Sequence, residues 1–335
     1  MSKRFVGVDL HKRACYFTEL DSQGNVLRRD KFGNNVLEVS SFAATLTSEV
    51  KLTVEPVLNY LWFLDQVAPH VESVHPANPY KVRVIAEAKT KCDRYDSLML
   101  AELLRTNFLP ESYYVPPGIR ALRDLIRQRG HLVAMRAALK NRIRHLIFLN
   151  GSKVKVANIS SPKARRELRR LYMAPTVKDL VSQCLETISH LDGQIVILNE
   201  KIGSSCPESA EVKILQTIPG IGPLLAMTIY AETGDISRFK SGRAFASYCG
   251  LVPQVRASGD KVHTGSITKT GSRAMRRAFV EAAIVAARKS AALNRLFNRV
   301  LYRGNVQKAR VAVAHKLALI AYVMLTKGEA FRASR

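Results

Sequence analysis

Two aspartates three residues apart, Asp93 and Asp96, precede the apolar run Leu98, Met99, Leu100, Ala101, Leu103 and Leu104. The run predicts a helix that starts near Asp93. Residues i and i+3 share a helix face, so both carboxylates can point at one spot. Adjacent carboxylates repel unless a cation lies between them. A cap at Asp93 and a helix-dipole role for Asp96 would also use acids here. Two further acids add to the pair: Asp9 lies at the end of the apolar stretch Arg4–Leu10, and Glu55 follows Lys51–Val54. A different chemistry stands far along the chain, where Ser258 sits in a stretch rich in glycine, lysine and arginine, with Lys261, Lys269, Arg273, Arg276 and Arg277 close by. A serine among cations and backbone amides can attack a phosphate while the developing charge is stabilised. Chemistry alone does not separate Ser258 from Ser266, Ser272 or Tyr248, and an ordinary turn serine fits the same stretch.

The acids need elements to position them. Arg4–Leu10, Ala14–Leu20 and Val26–Phe32 read as strands, Asn35–Leu46 as a helix, Lys51–Val54 as a strand, Val57–Val67 as a helix and Val71–His75 as a strand. The first three strands can pair as a meander and the rest need crossovers. This order, with one acid closing strand one, another closing strand four and two on a late helix, resembles the ribonuclease H-like fold. On that fold Asp9, Glu55, Asp93 and Asp96 are carboxylate ligands whose hard oxygens suit Mg²⁺ or Mn²⁺. Two such ions roughly 4 Å apart stabilise the attacking and leaving oxygens of a phosphodiester.

The net charge of +25 over 335 residues points to a polyanionic partner, nucleic acid first. The charge is uneven: residues 1–118 carry 14 basic and 14 acidic side chains, 119–175 carry 15 and 2, 176–205 carry 2 and 4, and 206–335 carry 21 and 7. This divides the chain into an acidic catalytic domain (1–118), a basic helix and coiled-coil region (119–205) and a rear domain (206–335). No long apolar run or leader is evident, and the five cysteines are scattered without a Cys-x-x-Cys pair. A reduced cytoplasmic setting, nucleoid-associated and away from the membrane, is the expectation.

Ile119–Leu149 reads as a helix with one apolar face and a strongly positive one carrying Arg120, Arg123, Arg127, Arg136, Lys140 and Arg144. A second basic cluster, Lys163 to Arg170, follows Ser160-Ser161-Pro162. Val177, Val181, Cys184, Ile188, Leu191, Ile195, Leu198 and Ile202 alternate in steps of four and three, a coiled-coil seam. The spacing leaves open whether it pairs with the preceding helix or with another chain. Pro219-Gly220-Ile221-Gly222 between two helices resembles a helix–hairpin–helix motif, in which Gly220 and Gly222 let backbone amides approach a phosphate. Ala282–Ala292 and Gln307–Leu325 read as alanine-rich core helices.

Together these motifs resemble the DEDD-type insertion-sequence transposases, whose relatives include pilin-gene DNA invertases and bridge-RNA-guided recombinases. The resemblance rests on Phe5-Val6-Gly7-Val8-Asp9-Leu10-His11-Lys12, Glu55-Pro56, Asp93-Arg94-Tyr95-Asp96, the Pro-Gly-Ile-Gly motif, and Gly250-Leu251-Val252-Pro253 followed by Ser258-Gly259 and Gly265-Ser266-Ile267-Thr268-Lys269-Thr270-Gly271. It spans essentially the whole chain. It implies Mg²⁺ on Asp9, Glu55, Asp93 and Asp96, and a serine nucleophile that maps onto Ser258. It also implies an active site shared between subunits of a dimer or tetramer, with the seam holding them in register. Its partners are donor and target DNA and, in some members, a bridge RNA. Cys92 and Ser97 stand where threonine and alanine are common in the family. A Holliday-junction-resolvase-like nuclease using water as nucleophile is the alternative.

Overall fold

The computed structural model describes residues 3–57, 59–85, 93–152, 156, 158–205, 209–258 and 261–332, with the side chains of 93–94, 255–258 and 261–264 outside the description. By internal contacts the chain divides into two compact units, Met1–Val115 and Pro116–Arg335.

The first unit is built on a five-stranded sheet of order β3-β2-β1-β4-β5. Its strands are β1 (Arg4–Leu10), β2 (Ala14–Leu20), β3 (Val26–Gly33), β4 (Val50–Val54) and β5 (Ser73–Pro76). β1, β2 and β3 form the antiparallel meander, while β4 lies parallel to both β1 and β5. The fold is mixed α/β and consistent with the ribonuclease H-like expectation. β5 starts two residues later than the apolar pattern suggests, because a 3₁₀ turn at Ala68–His70 intervenes and pairing with β4 begins at Ser73. Val6, Val8, Leu10, Leu52 and Val54 bury on one face of the sheet with helices α1 (Val36–Ala44) and α2 (Tyr60–Val67). The other face receives α4 (Asp93–Arg105), which follows α3 (Pro79–Ile85) and sets Ala101 and Leu104 against Phe5 and Leu20.

The second unit opens with α5 (Pro117–Leu149), then α6 (Pro162–Arg170) and α7 (Pro175–Ser205). The heptad seam of α7 packs on α5 of the same chain: Val181, Cys184, Leu185 and Ile188 share a core with Ile143 and Ile147, and Ile202 reaches Leu122. There follow α8 (Ala210–Gln216), α9 (Pro223–Thr233) and α10 (Gly242–Tyr248). The hairpin β6 (Pro253–Ser258) and β7 (Lys261–Ile267) comes next, then α11 (Arg273–Lys289), α12 (Ala291–Tyr302) and α13 (Val306–Lys327). α13 is long and apolar enough to cross a membrane by composition. Here its Val313, Ala314, Leu317, Ala318 and Ala321 are buried against Ala282, Ala283 and Ala286 of α11. The two alanine-rich segments thus meet as a close-packed pair, since small side chains let helix backbones approach.

Candidate functional site

Strand periodicity decides where Asp9 points. Val6, Val8 and Leu10 enter the core beneath the sheet, so Phe5, Gly7 and Asp9 face α4. At Gly7 the helix sits on bare backbone: a Cβ there would collide with the Ser97 carbonyl and the Ala101 amide. Ala101 and Leu104 lie by Phe5 while Ser97 lies by Gly7, so α4 runs antiparallel to β1 and carries its first turn toward Asp9. The buried Ser97 hydroxyl meets Thr18 Oγ1 at 2.9 Å, a partner that accounts for serine at this position. Asp96 is half-buried one residue earlier. Asp93 is the first residue of α4; its side chain and Cys92 lie outside the description.

Glu55 arrives from the neighbouring strand. Val54 pairs with Val8 in parallel register, and the Glu55 amide donates to the Val8 carbonyl at 3.4 Å. Glu55 therefore stands beside Asp9 on the same face, at the same sheet end. Asp9 is 4% exposed and its Oδ2 lies 3.1 Å from His11 Nε2. Burial, then the charges of Asp9 and Glu38, push the Cys15 thiol up to about 12. His11 was invisible as a site residue except for its position two places after a strand-end acid. Asp9, Glu55 and Asp96 offer carboxylate oxygens, which suit a hard divalent cation in kind. Among the described residues no three His, Cys, Asp or Glu side chains already surround one point.

In the second unit Ser258 ends β6 and pairs with Lys261 across the hairpin tip. This stretch is therefore a β-hairpin. Its alternation is short, and Gly259-Asp260, which lie outside the described residues, separate two runs containing β-branched residues. The side chains of Ser258 and Lys261 are outside the description as well. Lys269 adopts φ 55°, and its carbonyl accepts from Arg276 Nη1 at 2.9 Å, so Arg276 braces the segment after β7. Arg273 is exposed at the first turn of α11. Ser272 caps that helix and donates to Glu232 Oε2 at 3.0 Å. Glu232, 4% exposed, also holds Arg127 at 3.1 Å. No sequence pattern singles out this buried carboxylate at the end of α9.

The basic face of α5 is only partly a free surface. Arg123 is buried, and it donates to the carbonyls of Ala231 at 2.5 Å and Glu232 at 2.9 Å. Burial holds its guanidinium below the usual range. It is a tie between α5 and α9, which corrects its reading as a nucleic-acid contact. Arg136 pairs with Asp192 of α7 at 2.6 Å, and Lys140 donates to Asn158 at 2.9 Å. Arg120 is half-buried, while Arg144 is exposed near the far end of α5. Gly220 also needs correction. It has φ +90°, and a Cβ there would strike the Ala282 carbonyl at 2.5 Å, so glycine serves the packing of this turn on α11. Gly222 is the cap residue of α9 and faces open space.

Two family matches fall on this chain. Residues 6–149 match the DEDD transposase family of the IS110 type, and residues 212–298 match the transposase family IS116/IS110/IS902. The transposase for insertion sequence element IS1328 of Yersinia enterocolitica is 25% identical over 97% of this chain and 98% of its own length. The pilin gene-inverting protein of Moraxella lacunata is 26% identical over 99% and 98%. The transposase for insertion sequence element IS1111A of Coxiella burnetii is 27% identical over 98% and 91%. The two family matches lie in order along the chain and together take in most of it, so the chain belongs to the IS110/IS116 family of DEDD transposases and is a DNA transposase.

Proposed function

We propose that this transposase cuts and rejoins DNA through a serine-linked intermediate. Ser258 Oγ attacks a DNA phosphorus, an Oγ–P bond forms, and the bridging P–O bond breaks. The serine proton leaves to a nearby base and the departing oxygen takes up a proton. Asp9, Glu55, Asp93 and Asp96 would hold Mg²⁺, with Mn²⁺ as substitute. When bound, that cation supplies charge stabilisation at the phosphate oxygens. Lys269, Arg273 and the exposed cations of α5 hold the DNA backbone, and a bridge RNA is a further partner on the same basic surface. Because the acids and Ser258 belong to different units, a homo-oligomer with the acids of one copy serving the serine of another is part of this reading. Val181, Cys184 and Ile188 of the α7 seam are covered by α5 of the same chain, so the reading does not rest on them for the contact between copies.

The observation that supports the acidic site is the seating of α4 on Gly7, with Ser97 and Ala101 against β1 and the first turn of the helix directed toward Asp9. One observation favours a second reading: Asp9, Glu55 and Asp96 all come from the first unit, with no need of Ser258. A resolvase-like nuclease would then use water. Incubating labelled donor DNA with Mg²⁺ and protein, then denaturing, separates the two. An adduct in wild type that is lost in Ser258→Ala and Asp96→Ala supports the serine step. Strand cuts without an adduct, persisting in Ser258→Ala, support the nuclease.

A further inference from the structure

A cavity of about 440 Å³ lies between α6 and α7, and neither the acids nor Ser258 line it. Its floor is apolar, made by the buried side chains of Leu168, Met173, Val181 and Leu185. Arg169 and Lys178 line it and are exposed. Arg165 fastens its two helices, donating to Ser189 Oγ at 2.6 Å. Five of the nine residues of α6 are lysine or arginine, far more than a folded helix needs. Directly after α6, next to the floor residue Met173, the ring of Tyr172 is 94% exposed.

We propose that this cavity seats an unpaired nucleotide of a single strand. The base lies on the apolar floor, its phosphates lie against Arg169 and Lys178, and a neighbouring base stacks on Tyr172. A basic helix alone would track any phosphate backbone. The apolar floor and the bare aromatic ring have no use for a duplex, whose bases are already stacked on one another. They match the pairing of cations with aromatic platforms that holds single strands. Asp179 and Glu186 also line the cavity. Carboxylates there repel a phosphate but accept hydrogen bonds from the exocyclic amines of a base. The volume lies in the range of small-molecule pockets and so takes one nucleotide, not a helix of DNA.

The proposal rests on nucleic acid as the enzyme's partner and not on the serine step. The test is fluorescence anisotropy with full-length protein in EDTA, so that no strand is cut. The probe is a short unstructured oligonucleotide, in ribo and deoxy form, alone or annealed to its complement. Tyr172→Ala should weaken single-strand binding by about 5- to 150-fold, the span of base–aromatic stacking, and leave duplex binding unchanged. Tyr302→Ala removes another tyrosine, 93% exposed on α12, and should change neither. Arg169→Ala with Lys178→Ala should lower the salt slope on single strands by about 1.4, roughly 0.7 per lost phosphate contact. Loss in the ribo arm alone assigns the strand to RNA, and loss in the deoxy arm alone or in both admits DNA. Unchanged affinity in Tyr172→Ala, an equal loss on duplex, or no single-strand binding by wild type would overturn the site. A missing adduct beside intact Tyr172-dependent binding would count against the serine reading alone.

Discussion

Gly7→Ala tests how the acidic site is assembled. The added methyl meets the Ser97 carbonyl oxygen and the Ala101 amide nitrogen, both backbone atoms of α4. A side chain could swing aside, but a helix backbone can only retreat as a body. Overpacking of this kind costs about 1–3 kcal/mol, and with no rotamer to absorb it the upper end is expected. A domain with roughly 5–15 kcal/mol of stability stays folded after that loss. The effect on chemistry should be larger than the effect on stability. Asp96 rides on the same helix turn as Ser97, and a displacement of about 1 Å at reacting groups costs on the order of 10²-fold in rate. Urea midpoints and Mg²⁺-dependent strand transfer would be measured side by side. Ser97→Ala serves as control: it removes the hydrogen bond to Thr18, worth about 1 kcal/mol, without moving the helix. A Gly7→Ala protein as stable and active as wild type would refute the seating of α4 and the convergence of acids drawn from it.

The other predictions probe the second unit and the sheet. Arg123→Ala should lower stability by about 1–3 kcal/mol, since it strands two carbonyls at the end of α9; Arg144→Ala should spare stability and instead reduce the salt slope of duplex binding by about 0.9. Gly220→Ala should destabilise strongly through the Ala282 carbonyl and the positive φ, whereas Gly222→Ala, in open space, should cost far less in urea unfolding. Cys15 has its folded pKa raised from an ordinary 9.0 to about 12. Its buried neutral thiol therefore contributes stability that is complete below pH 9.0 and is lost as pH rises toward 12. The stability gap between wild type and Cys15→Ala should narrow over that range, and a constant gap would show that the thiol does not titrate this way.

Much of the first unit can be read from its residues because its strands are short apolar runs bounded by turn residues. β1 and β2 begin and end where the apolar pattern turns, and the two-residue period alone puts Asp9 opposite the face of Val8. What alternation cannot provide is the reason for Gly7, which lies in a helix more than eighty residues away in sequence. The same limit applies to Gly220: a Pro-Gly-Ile-Gly turn invites a phosphate reading, while the contact that demands glycine comes from α11. The heptad spacing of α7 reveals an apolar face but not what covers it, and α5 of the same chain does so here. The β6–β7 hairpin hides behind glycine, serine and lysine, whose strand preference is weak. Arg123 looks like its exposed neighbours, because nothing local distinguishes a guanidinium that faces solvent from one that meets the end of another helix.

The partners of the basic helix suggest why its charge and its rigidity coexist. Arg129 bonds Asn199 at 2.6 Å, and Lys140 bonds Asn158. Arg127 and Arg136 instead meet the carboxylates of Glu232 and Asp192. Neutral acceptors fix a cation without cancelling it. Burial and the neighbouring cations Arg136 and Arg277 lower the pKa of Arg129, and burial with Arg136 and Arg144 lowers that of Lys140. These directions mark a surface whose positive charges stand close together before any ligand arrives. Each such side chain gives up as much as about 2 kcal/mol of rotamer freedom on folding. A polyanion that binds afterwards meets cations already in place and loses less entropy in ordering them. Replacing Asn158 and Asn199 by aspartate would keep the fixation but neutralise the field. Duplex affinity should then fall with little change in unfolding midpoint, whereas a fall in both together would mean that these bonds serve the fold alone.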